Sequence, residues 1–212
     1  MPPDKYGGRL RLSRRPLGNG QKSDEPTVRK PRADAERNRL LLMETAKTVF
    51  ADKGSSASLE EIARIAGVGI GTLYRHFPTR DALVSAIYRN ETTQLAAAAK
   101  SLAETHPPVE ALRLWLVQFV DYVVTKHGMS EVLDSLVGGT SELYADSADL
   151  IIGAVNLLVD RAVATGEIRL AMDPLDILRA LAGGASISCG PARRDAARQL
   201  IDILIAGMRA SR

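Results

Sequence analysis

The 212-residue sequence predicts an all-α fold, and three observations carry that reading. Apolar residues recur at helical spacing along the long segments, most regularly at Ala197, Leu200, Ile201, Leu204, Ile205 and Met208. Helix stops and starts punctuate the chain at Gly54, Gly67, Pro78, Pro107-Pro108, Gly166, Asp173-Pro174 and Gly190-Pro191. The apolar 45% is concentrated in Ala, Leu, Ile and Val with only 4% aromatics, which suits close helix packing better than a sheet sandwich.

Residues 1–32 hold several prolines and glycines and no apolar periodicity, the composition of a disordered segment. They carry nine Lys and Arg against three acids, so a net +6 sits on the arm and −3 on the remainder of a chain whose total is +3. A basic arm on a mildly acidic body points to a polyanion engaged at one end, with a merely solvated extension as the alternative. From Ala33 or Asp34 to Lys53, the stripe Leu42, Met43, Ala46, Val49 and Phe50 predicts a first helix, which Gly54 ends.

Ser58 to Phe77 reads as two short helices joined by a tight turn. Ser58 caps the first, and Glu61, three residues on, can close a capping box. Leu59, Ile62, Ala63 and Ala66 share one face, and Gly67 supplies a left-handed C-cap. Ile70 to His76 then makes about two turns of a second helix. Leu73 and Phe77 pin it to the first, across Ala63, which is small enough for a close crossing. Its other face carries Gly71, Thr72, Tyr74, Arg75 and His76, the equipment for phosphates and base edges in a DNA major groove. Pro78 stops this helix and Thr79 caps a fourth, with Ala82, Leu83, Ala86 and Ile87 inward, running to Ala103. The start of that helix offers free N–H groups to a phosphate beside Thr79 and Arg80.

The run Gly71-Thr72-Leu73-Tyr74-Arg75-His76-Phe77, followed by Pro78-Thr79-Arg80-Asp81-Ala82-Leu83, resembles the N-terminal domain of the tetracycline-repressor (TetR) family of transcriptional regulators. So do Ala46, Phe50 and Gly54 leading into Leu59, Ile62, Ala63, Ala66, Gly67 and Val68, and the likeness covers residues 36–90. The resemblance implies a three-helix DNA-binding domain over residues 33–90, with its helix-turn-helix at 58–77, then a helical ligand-binding and dimerisation domain over 91–212. It implies contacts to phosphates or bases from Thr72, Tyr74 and His76, and a grip on the DNA backbone by Arg80. Gly71 leaves room for close approach, and Ser58, Gly69, Arg75 and Thr79 complete the expected DNA-facing set. The sequence departs from the common family pattern at Gly69 and Ile70, where a hydroxyl residue and a lysine are frequent; Ile70 can meet a thymine methyl group instead.

Pro107-Pro108 breaks the chain, and Val109 to Lys126 resumes as a helix with Leu112, Trp115, Leu116, Phe119 and Val123 on one stripe. A short helix is expected from Ser130 to Val137 and a longer one from Ser141 or Asp146 to Thr165. The TetR resemblance places an effector pocket among these helices. The candidates are Trp115, Phe119, Tyr122, Met129, Leu133, Tyr144, Asn156 and Asp160, a mainly apolar set with a few polar handles. Asp173-Pro174 opens a helix to Ser188, and a final helix follows Gly190-Pro191.

The last two helices carry apolar stripes and the small run Ala182-Gly183-Gly184-Ala185, able to pair with their copies as a four-helix bundle across a twofold axis or to form ordinary core. The resemblance favours the homodimer, with Ile177, Leu181, Gly184, Leu200, Ile201, Leu204, Ile205 and Met208 at its interface. Two heads roughly 34 Å apart would then read a palindromic double-stranded DNA operator. The function implied is a sequence-specific regulator, a repressor released by an unidentified small-molecule effector. An activator or dual regulator of the same fold, and a helical scaffold that reads no DNA, are the alternatives.

Catalysis finds no support: no Ser/His/Asp or Cys/His constellation or phosphate loop appears, and Gly67, Gly69 and Gly71 follow a helix, not the strand a dinucleotide site requires. No cofactor or metal is predicted. Cys189, the one cysteine, forms no internal disulfide and reads as a small buried residue. No apolar run of about 18 residues is present to span a membrane, and the N-terminus lacks the apolar core of a secretory signal, so a cytoplasmic protein is expected.

Overall fold

The computed structural model describes residues 31–137, 139–187 and 192–209. Residues 1–30 of the basic arm, Cys189 and the stop at Gly190-Pro191 lie outside them, while Pro31 and Arg32, expected in the arm, begin the first helix two residues before Ala33. Among the described residues the elements are α1 (Pro31–Lys53), a single 3-10 turn (Gly54–Ser56), α2 (Leu59–Ile65), α3 (Ile70–His76), α4 (Arg80–Thr105), α5 (Pro108–Gly128), α6 (Ser130–Asp134), α7 (Ser141–Ala164), α8 (Pro174–Ile187) and α9 (Ala192–Met208).

Local chemistry sets most boundaries. Ser58 Oγ accepts the Glu61 amide at 3.1 Å, Thr79 Oγ1 accepts that of Ala82 at 3.0 Å, and Asp173 Oδ1 accepts that of Leu175 at 2.8 Å. Each satisfies an N–H that the first helical turn leaves without a partner. The Glu61 carboxylate turns to Lys53 Nζ at 2.6 Å, tying α2 to the end of α1. Gly54, Gly67 and Gly166 adopt positive φ just after α1, α2 and α7, where a side chain would be strained. The short helix α6 ends at Asp134, before the expected Val137, and α4 continues to Thr105.

Two apolar cores result. The first holds Leu42, Ala46 and Phe50 of α1, Ile62 and Ala63 of α2, Leu73 of α3 and Leu83, Val84 and Ile87 of α4. It also takes in Val132 and Leu133 of α6, Leu136 and Leu143, so residues far beyond 90 help to seal the N-terminal domain. The second core packs the later turns of α4 against α5, α7, α8 and α9 around Trp115, Leu116, Leu158, Leu181 and Ile201.

Helix α4 belongs to both cores. Two side chains cross to its backbone carbonyls: Trp115 Nε1 donates to Leu95 O at 2.8 Å, and the Arg161 guanidinium donates to Ala103 O. The second bond covers a carbonyl left free at the helix end. Arg169 N donates to Met208 O at 2.7 Å, fastening the α7–α8 connection to the end of α9.

Candidate nucleic-acid interface and ligand cavity

The turn between α2 and α3 is a Schellman motif. Val68 N donates to Ala63 O at 3.0 Å and Gly67 N to Arg64 O at 3.2 Å, with Gly67 at φ 69°. This geometry fixes the angle at which α3 leaves α2. Leu73 and Phe77 are buried against Ile62 and Ala63, so the opposite face of α3 turns outward. On that face Ile70 is 38% and Tyr74 43% exposed, with Gly69, Gly71 and Arg75 exposed beside them. Thr72 and His76 are half-buried along its flank, one turn apart. An added Cβ at Gly71 would meet nothing within 4 Å, so this is the flattest point of the helix. Ser58 and Thr79 are exposed at the starts of α2 and α4, their hydroxyls already accepting cap bonds.

Arg80 is placed differently from the backbone grip that the family motif implies. Its guanidinium donates to Gly54 O at 3.3 Å, to Ser55 O at 3.1 Å and to Ala57 O, and lies 4.8 Å over the Phe50 ring. The side chain therefore joins the start of α4 to the connection between α1 and α2. Asp81 Oδ2 accepts Val137 N at 3.1 Å, which brings the α6–α7 connection to the same corner.

A cavity of about 570 Å³ opens between α4, α5, α6, α7 and α8. This is within the range of small-molecule sites. Tyr88 of α4, Phe119 and Tyr122 of α5 and Tyr144 of α7 supply its aromatic wall, and Ile151, Ile152, Leu175 and Leu178 its aliphatic one. Ser130 and Leu133 of α6 line it as well. A chain of hydroxyls closes one side: Tyr122 Oη donates to Tyr88 Oη at 3.1 Å and stands 3.3 Å from Thr92 Oγ1, which donates to Ser147 Oγ at 3.4 Å. Burial pushes the Tyr88 phenol up to about 12, the Tyr122 hydroxyl adds to the rise, and the Lys126 ammonium opposes it.

Of the residues expected to line a pocket, Phe119, Tyr122, Leu133 and Tyr144 do so. Trp115 shares their stripe but lies one turn nearer the α4 carbonyl it bonds, fully inside the core. Met129 is buried with the first core, while Asn156 and Asp160 are exposed on α7, the usual place for polar residues of an amphipathic helix. Lys126 was not anticipated. Its signal is spacing: Phe119, Tyr122 and Lys126 stand at i, i+3 and i+7 on α5, so they share a face. Tyr88 and Thr92 likewise stand one turn apart on α4.

The expected dimerisation residues divide by face. Ile177, Leu181, Ile201 and Ile205 are buried in the chain's own second core, with Leu204 and Met208 packed against it. Gly184 is half-buried against Leu200, whose Cδ2 lies 3.6 Å from where a glycine Cβ would stand. Leu200 is at the 36% edge of exposure, and Ile203, absent from the expected set, is 67% exposed.

A capped α2, a fixed turn, a short α3 with a flat polar-and-aromatic outer face and a separate helical body over a ligand-sized cavity define a helix-turn-helix DNA-binding regulator. Comparison with known proteins gives the family. Residues 42–87 match the model described as bacterial regulatory proteins, tetR family, and residues 107–210 match that of the transcriptional regulator SbtR-like C-terminal domain. The chain belongs to the TetR family of transcriptional regulators. It is similar to the crystal structure of the TetR transcriptional regulator SCO0520 from Streptomyces coelicolor, at 44% identity and TM-score 0.75 over 82% of this chain and 99% of that one. A TetR regulatory protein from Mycobacterium vanbaalenii is 30% identical, at TM-score 0.67 over 84% and 99% of the two chains. The HTH-type transcriptional regulator SAR0097 of Staphylococcus aureus is 38% identical over 74 residues, which is 34% of this chain. The chain spans 38% of that relative's length. No helix among the described residues is long and apolar enough to cross a membrane.

Proposed function

We propose that this regulator is a homodimeric repressor that a small-molecule effector releases from a palindromic operator. One observation carries the reading: the cavity wall and the anchor of the reading head are on the same helix. Tyr88 lines the cavity eight residues after Arg80, and Arg80 holds the connection that leads into α2. Eight residues of helix span about 12 Å. A ligand that favours one pose of α4 therefore resets the position of α3, with its differential affinity for the two poses supplying the energy.

On this reading Ile70, Gly71, Thr72, Tyr74, Arg75 and His76 face the major groove, and Ser58, Gly69 and Thr79 stand at its rim. Arg80 serves the interface by positioning the head. Two copies pair through the outer edges of α8 and α9, since one short α3 spans too few base pairs for tight binding by itself.

Selection of bound fragments from random DNA with the purified full chain tests this, followed by titration of the selected site at rising salt. The expected result is a palindromic motif whose binding falls steeply with salt. Retention that ignores sequence would overturn the operator reading.

A further inference from the structure

The cavity has a charge signature as well as a shape. Among the described lining residues none is a carboxylate, whereas Lys126, His127 and Arg179 bring cationic or protonatable groups to it. Arg179 is already matched at 2.8 Å by Asp176. Lys126 is not: among the described residues no carboxylate lies within ion-pair distance of its Nζ. The ammonium instead lies 3.9 Å from the centroid of the Tyr144 ring and 5.5 Å from that of Tyr88. Ring faces attract a cation but accept none of its three N–H bonds. The half-buried ammonium thus keeps donors for an anion.

Beside this cation the wall is aromatic. Phe119 and Tyr122 stand 6.2 Å apart and Tyr88 and Tyr144 5.4 Å apart, both tilted pairs that offer ring edges and faces to a further ring. A single unmatched cation balances the charge of a monoanion but not that of a phosphate dianion. We propose that the effector is an aromatic monocarboxylate, its carboxylate on Lys126 Nζ and its ring among Phe119, Tyr122 and Tyr144. The proposal rests on the reading of this cavity as the effector site.

Binding of benzoate, 3-phenylpropenoate, naphthalene-2-carboxylate and biphenyl-4-carboxylate to the full chain, by calorimetry and thermal shift, tests it. Each acid is compared with its neutral primary amide, and decanoate serves as the non-aromatic acid. At least one aryl acid is expected to bind roughly tenfold or more tightly than its amide, the scale of one charge-assisted hydrogen bond. Lys126→Met and Lys126→Gln should erase that preference, bringing the acid's affinity down to that of its amide, while leaving the far-ultraviolet spectrum in place. Equal binding of acid and amide, an acid affinity indifferent to both substitutions, or no binding of any aryl acid at millimolar concentration would overturn the proposal. Tighter binding of decanoate than of every aryl acid would overturn its aromatic part. An aryl acid that binds through Lys126 yet leaves operator binding unchanged would uphold the ligand class and sink the effector reading instead.

Discussion

Arg80 lies with its guanidinium 4.8 Å from the Phe50 ring centroid while its N–H groups reach the carbonyls of Gly54, Ser55 and Ala57. One side chain thereby bonds three carbonyls of the short 3-10 connection between α1 and α2. Arg80→Ala should lower unfolding stability by on the order of 2 kcal/mol, from lost bonds and the lost stack. Arg80→Lys should recover less than half, because an ammonium lacks the planar fork. Denaturant unfolding measures both. A residue holding a DNA phosphate would behave otherwise: its loss would spare stability and reduce the salt slope of operator binding by about one.

Two glycines of the reading head should respond in opposite ways. Gly67 sits at φ 69°, so Gly67→Ala should cost on the order of 1 kcal/mol of stability. Gly71 is helical with open space around it, and Gly71→Ala should stabilise the free protein by roughly 0.5–1 kcal/mol through helix propensity. If α3 enters the major groove as proposed, the same methyl group stands at the contact, and operator affinity should fall. Unfolding and binding measured on one sample separate the effects; a Gly71→Ala variant with unchanged operator affinity would remove α3 from the interface.

The reading head was legible because its signals are local. Ser58, Gly67 and Thr79 act on backbone groups within three residues of themselves, and the sequence shows that distance directly. Arg80 was not, since its partners lie 23 to 26 residues upstream and only the packing of α1 on α4 brings them near. The same limit applies to the stripes. Trp115 and Phe119 are one turn apart on α5, and which faces core and which faces cavity depends on where α4 and α7 end up. Periodicity along α9 likewise marks an apolar face without telling which neighbour covers it.

Tyr88 should make the protein sensitive to alkali. Its phenol holds its proton to about pH 12 in the native state, whereas an unfolded tyrosine releases it near 10. Between those values the unfolded chain binds fewer protons than the native one, so stability present below pH 10 drains away as the pH rises towards 12. Tyr88→Phe should start lower at neutral pH, having lost the bond from Tyr122, but lose less across that window. Thermal unfolding of the two proteins at stepped pH checks this; parallel curves would mean that the phenol is open to water.

The proposed pairing of two copies can be tested at the outer edge of α9. Ile201 and Ile205 are consumed by the chain's own core, so truncating them tests folding, and Ile201→Ala should cost about 2–4 kcal/mol whatever the state of assembly. Ile203 is 67% exposed one turn from Leu200, itself only half covered, and the single chain loses little when Ile203 changes. If two copies pair here, Ile203→Glu buries an unpaired carboxylate at the twofold contact and faces its own copy across the axis, which is far costlier than its effect on one chain. Sedimentation should then show a folded monomer at concentrations where the unaltered protein is dimeric, with operator affinity falling because the two heads are no longer linked. A variant that stays dimeric would move the interface off this edge of α9, and the exposed Leu150 and Leu157 of α7 would be the next apolar surface to alter.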